Sequence, residues 1–118
     1  MIKRSNLIVS VAAWLTPTLA FANYSCVGPI DSVGVDSAGQ VWFMSSTAGF
    51  SYVVPCSVTA TYGAITTSTC QAILSVLLRA QATGASVQWT FDDSLTCTTH
   101  PAWTSLTGFY FGPVVVTQ

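Results

Sequence analysis

The residues of this chain that are equipped to do chemistry are few. His100 is the only histidine, in the stretch Thr98-Thr99-His100-Pro101-Ala102-Trp103, and two adjacent carboxylates, Asp92 and Asp93, precede it. A histidine, an acid and any of many serines are the raw material of a hydrolase triad, yet there is no G-x-S-x-G elbow or other fixed setting for a nucleophile. On a strand, Asp92 and Asp93 would point to opposite sides and so fail to flank one glycosidic bond. With Ser94 they read as a turn. Three neighbouring oxygens also fall short of calcium coordination, and no phosphate loop, nucleotide fingerprint or histidine-rich metal motif is present. The residues predict a protein that is not an enzyme and that uses no metal or cofactor.

Trp103 is a different matter. It sits beside His100, close to Cys97 and among hydroxyls, and a rigid loop with that content can stack a sugar ring and hydrogen-bond its hydroxyls. His100 and Trp103 are therefore the candidate ligand-binding residues. The competing expectation is that Trp103 folds back to cover the end of the domain, because large aromatics are highly buried on average.

Placing such a loop requires staples. Cys26, Cys56, Cys70 and Cys97 are even in number and form no C-x-x-C pair, so in an oxidising compartment they read as two disulfides. Four cysteines allow three pairings. Cys56–Cys70 and Cys26–Cys97 are favoured, since the first pins a helix start to the strand before it and the second ties the N-terminal region to a late strand. Zinc needs closer paired spacings than these, and a reactive Cys70 thiol at the helix N-terminus is the weaker alternative.

The oxidising compartment itself follows from residues 1–22. Lys3 and Arg4, a short apolar run from Asn6 to Leu15, and Ala20-Phe21-Ala22 make a secretory signal peptide with a small-x-small cleavage site. The run is too short for a comfortable membrane span. Residues 23–118 are then expected to be one secreted or periplasmic domain, with no membrane span, that keeps Arg79 as its sole Lys or Arg against Asp31, Asp36, Asp92 and Asp93. That balance excludes nucleic-acid binding through phosphate neutralisation.

The elements organise around Ser68 to Phe91. Ser68 with Gln71 predicts a capping box at a helix start, and Gly84 predicts its left-handed stop. Cys70, Ile73, Leu74, Leu77 and Ala80 share one face. Ala72, Val76 and Leu78 widen the apolar arc beyond what one core covers, which suggests a neighbouring subunit or a covering loop. After Gly84 the period becomes two, with Val87, Trp89 and Phe91 on one side of a strand. Upstream, strands are expected at Ile30–Val35, Gln40–Met44 and Phe50–Val58, the first two joined by an Asp36–Gly39 turn and the third an edge at Pro55. A last segment, Leu106–Val116, is broken at Gly112-Pro113, and Phe109 and Phe111 are expected to lie in the core.

Three strands, a helix and two closing strands is the order of an OB-fold, a small Greek-key barrel of the β+α class. From Cys56 to Val87 the chain also resembles the B subunits of secreted bacterial AB5 toxins of the subtilase-cytotoxin and typhoid-toxin type. The resemblance is carried by Cys56-Ser57, Gly63, Ala80, Thr83-Gly84 and Val87-Gln88-Trp89. It implies a pentameric, non-enzymatic subunit that binds cell-surface glycans and carries a separate catalytic chain, but it transfers no glycan-contacting residue. The expectation is a glycan or glycoprotein binder that acts as a homo-oligomer, with a secreted or periplasmic protein-interaction or inhibitor domain lacking sugar affinity as the alternative.

Overall fold

A computed structural model describes residues 23–116, so the expected signal peptide at 1–22 lies outside the described residues. The elements are β1 (Tyr24–Pro29), β2 (Ser32–Val35), β3 (Gln40–Ser45), β4 (Phe50–Ser57), α1 (Thr67–Thr83), β5 (Ser86–Phe91) and β6 (Phe109–Val116). They form two antiparallel three-stranded sheets, β1-β5-β6 and β2-β3-β4.

The expected first strand at Ile30–Val35 is corrected to two strands. Only Ile30 and Asp31 separate β1 from β2, and there the chain passes from one sheet to the other. Ile30 is buried at the crossing, and the Asp31 carboxylate accepts from Ser46 N–H at 2.7 Å and from its hydroxyl at 2.8 Å. Counted as one interrupted strand, β1 and β2 preserve the predicted order.

The sheets do not close into a barrel, which corrects the expectation of a complete one. Between β4 and the segment leading to β6 the pairing is a single parallel bridge, Val54 with Ser105. Val54 N–H donates to Thr104 O at 3.0 Å, and Leu106 N–H donates to Val54 O at 2.8 Å. Pro55 falls in a register shift, between the Phe43–Val53 and Val41–Cys56 pairs, where the ladder has no use for its missing N–H.

The core lies between the sheets. Trp89 stacks on Phe43 with centroids 5.1 Å apart and meets Phe109 edge-on at 4.9 Å, and Phe50, Phe91, Leu77 and Leu106 complete it. Both disulfides are the favoured ones, Cys26–Cys97 and Cys56–Cys70, each with Cα atoms 5.6 Å apart.

The helix ends at Gly84, whose φ of 71° is left-handed as expected. Its start differs from the Ser68–Gln71 box: Thr66 is the N-cap, and its hydroxyl accepts from Thr69 N–H at 3.3 Å. Either residue satisfies an orphan donor, and the chain uses the one that also follows the Tyr62–Ile65 backbone pairing. Cys70, Ile73, Leu77 and Ala80 are buried, whereas Ala72 and Leu78 stay exposed.

Phe111 is also corrected. It is 59% exposed rather than in the core. Between the Phe91–Phe109 and Thr90–Phe111 pairs β6 carries one extra residue, and that bulge moves Phe111 onto the outward face shared with Thr90.

Candidate functional site

His100 and Trp103 both lie on the irregular connection from Phe91 to Phe109, between β5 and β6. Its first anchor is the Cys26–Cys97 disulfide to β1. A second is Gly49, where an added Cβ would come within 2.1 Å of Cys97 O, so only a residue without one lets the β3–β4 turn press against the loop. Gly49 also has φ of 94°. Gly49→Ala therefore meets a backbone clash and a disfavoured conformation together, and is expected to cost about 2 kcal/mol or more by urea denaturation. Further along, Trp103 N–H donates to Ser51 O at 3.3 Å, and the Val54 bridge follows at once.

Between these anchors His100 turns inward. It is 9% exposed, with its ring centroid 4.8 Å from Phe91 and 5.4 Å from Phe50. Tyr24 OH donates to Asp93 Oδ1 at 2.5 Å and lies 3.0 Å from His100 Nε2. The hydroxyl has one hydrogen, and the carboxylate takes it. The Tyr24 oxygen then accepts from the imidazole, so Nε2 carries the ring hydrogen. Burial lowers the His100 pKa from its ordinary value, and the Asp93 charge opposes this. Burial, the hydrogen bond to Asp93 and the Asp93 charge together raise the Tyr24 pKa far above the usual tyrosine range. Asp93 also accepts from Leu95 N–H at 3.0 Å, so it serves the predicted turn and this cluster at once. His100 and Asp93 do meet, but through a tyrosine; no serine hydroxyl is hydrogen-bonded to the imidazole among the described residues.

Trp103 turns outward and is 71% exposed. Its ring lies parallel on Tyr52, with centroids 4.2 Å apart and planes within 2°. Tyr52 leans in turn on Trp42 at 5.7 Å, and Trp42 rests on Gly34, where a Cβ would lie 2.5 Å from its Cζ2. Tyr52 and Trp103 have φ of 51° and 60°, and they are the non-glycine residues with positive φ among those described. Such conformations cost of order 1–3 kcal/mol each and persist where surrounding structure imposes them. The stack therefore holds both backbones in place and presents one open indole face.

His100 and Trp103 thus share a loop but not a surface. His100 contacts Tyr24, Phe50 and Phe91, and Trp103 contacts Tyr52. The sequence offers Asp92 or Asp93 as an acid for His100, but it does not single out Tyr24, Tyr52 or Trp42 as partners. Trp42 was within reach, because an Asp36–Gly39 hairpin sets Trp42 opposite Gly34. The chain matches no family model, no curated protein and no solved structure.

Proposed function

We propose that this protein is an exported, non-enzymatic binding module that recognises a glycan or glycoprotein by stacking a sugar ring on Trp103. The observation that carries this reading is the exposed indole backed by Tyr52, on a loop stapled at Cys97. A planar aromatic face offers apolar contact at little cost in side-chain entropy. Ser51 and Thr104 flank the stack in sequence, and the Thr104 hydroxyl, which donates to Pro101 O at 2.6 Å, keeps its oxygen lone pairs to accept from a sugar hydroxyl. The test is a glycan array probed with the oxidised protein and with Trp103→Ala. The substitution is expected to weaken binding at least tenfold, equivalent to about 1.4 kcal/mol, with the native fold retained by circular dichroism at the assay temperature. Equal binding by both proteins rejects the platform.

A second reading, an interaction domain without sugar affinity, is favoured by the exposed Tyr110, Phe111, Val115 and Leu78. Native mass by light scattering separates the two in part: a discrete ring supports a toxin-like glycan-binding subunit, and a monomer supports the interaction domain.

A further inference from the structure

The segment that carries Trp103 is fixed at both ends and hinges on one titratable side chain in its middle. Upstream is the Cys26–Cys97 disulfide, and downstream is the Val54–Ser105 bridge. His100 plugs the loop into the body of the domain between Phe50 and Phe91. We propose that His100 is an acid-operated latch on the Trp103 platform: unprotonated it pins the loop, and protonated it leaves its pocket and releases Trp103 from Tyr52. The consequence for a ligand, binding near neutral pH and release in acid, rests on the reading of Trp103 as a sugar platform.

The charge environment sets the direction. The titratable groups facing the imidazole are Tyr24 from β1 and Asp93 from the loop after β5, while β4 and β5 present the apolar rings of Phe50 and Phe91. Tyr24 stays protonated, because burial and Asp93 raise its pKa. Asp93 favours the imidazolium, but its oxygen is taken by the Tyr24 hydroxyl and the Leu95 N–H. Burial prevails, and the folded pocket binds a proton less tightly than solvent does, below the ordinary value of 6.5. The stabilisation from the plugged imidazole is therefore complete above that value and is lost as pH falls through the lower folded pKa. Once His100 leaves the pocket, the left-handed Trp103 backbone, three residues on, is held only by its N–H bond to Ser51 O and by the Tyr52 stack, and the freed loop lets that strain relax.

Because His100 is the only histidine, one imidazole signal reports the latch without assignment ambiguity. The experiment follows, by NMR on the oxidised protein from pH about 7.5 to about 4.5, the His100 ring protons and the nuclear Overhauser contact between Trp103 and Tyr52. The expected result is loss of that contact with the midpoint at which His100 titrates. In His100→Gln, which cannot take up the proton, the contact is retained throughout. Asp93→Asn removes the charge that favours imidazolium and shifts both midpoints together to lower pH, which keeps the test available should His100→Gln fold poorly. Persistence of the contact while His100 titrates, absence of titration in this range, or loss of the contact at the wild-type midpoint in His100→Gln would each overturn the latch. These readouts use no ligand. A protein that shows them but binds no sugar at any pH retains the latch and loses the glycan reading.

Discussion

Replacing Cys26 and Cys97 together by serine is expected to lower the unfolding free energy by about 4 kcal/mol, against about 3 kcal/mol for the Cys56 and Cys70 pair. The difference comes from the unfolded chain. The first disulfide closes a loop with sequence separation 71 and the second one of 14, and the entropy removed by a cross-link grows with the logarithm of loop length. A domain of this size has only about 5–15 kcal/mol in total, so the first variant is expected to be largely unfolded on modest warming. Urea denaturation of the two double-serine variants checks this. Equal losses would show that native-state strain or residual structure, rather than loop entropy, governs these cross-links.

Trp89→Ala carries a comparable expected effect, a loss of about 3–5 kcal/mol. The indole is 1% exposed and lies within 4° of parallel on Phe43, with Phe109 against it. Removing it strips the interface between the two sheets of its largest side chain and leaves a cavity that the cross-linked strands are poorly able to collapse. Trp89→Phe is the informative companion. The indole Nε1 is buried with no hydrogen-bond partner among the described residues, an arrangement that already costs about 1–3 kcal/mol. Phenylalanine loses some contact area but also removes that orphan donor, so a loss under about 2 kcal/mol is expected by thermal or urea unfolding. Similar losses for both variants would mean that the donor is satisfied in solution.

What could be read from the sequence followed from local, periodic features. The helix face from Cys70 to Ala80, its stop at Gly84, the inward Val87, Trp89 and Phe91, and the hairpin closed at Gly39 all follow from spacing and turn chemistry within a few residues. The disulfide pairing was reachable because it depends on element order. β1 was missed because its six residues, YSCVGP, lack a run of β-branched or aromatic residues and end in glycine and proline. Phe111 was misplaced because a bulge leaves no mark on an alternating pattern.

The site divides along the same line. Trp103 as a loop aromatic near a staple was legible, but whether it points outward depends on Tyr52, 51 positions earlier. The Tyr24–Asp93–His100 cluster joins residues 69 and 76 positions apart, and no local rule relates them. The sequence shows His100 only as a loop residue, and it is a plug because the aromatic walls that receive it come from β4 and β5.

The pairing of β1 with β5 constrains how the chain can be made. A polypeptide that emerges N-terminus first delivers residues 24–29 long before their partners at 86–91, so its first strand must wait, unpaired, for most of the translation product to follow. The β2–β3–β4 meander and the short Cys56–Cys70 ring need no such delay. A thiol-trapping time course on newly synthesised chains should accordingly find Cys56 and Cys70 joined first, with Cys26 open to wrong partners until Cys97 arrives. Vectorial synthesis thus leaves β1 exposed as an unpaired strand until β5 has emerged, a long interval in which its edge is open to wrong pairing.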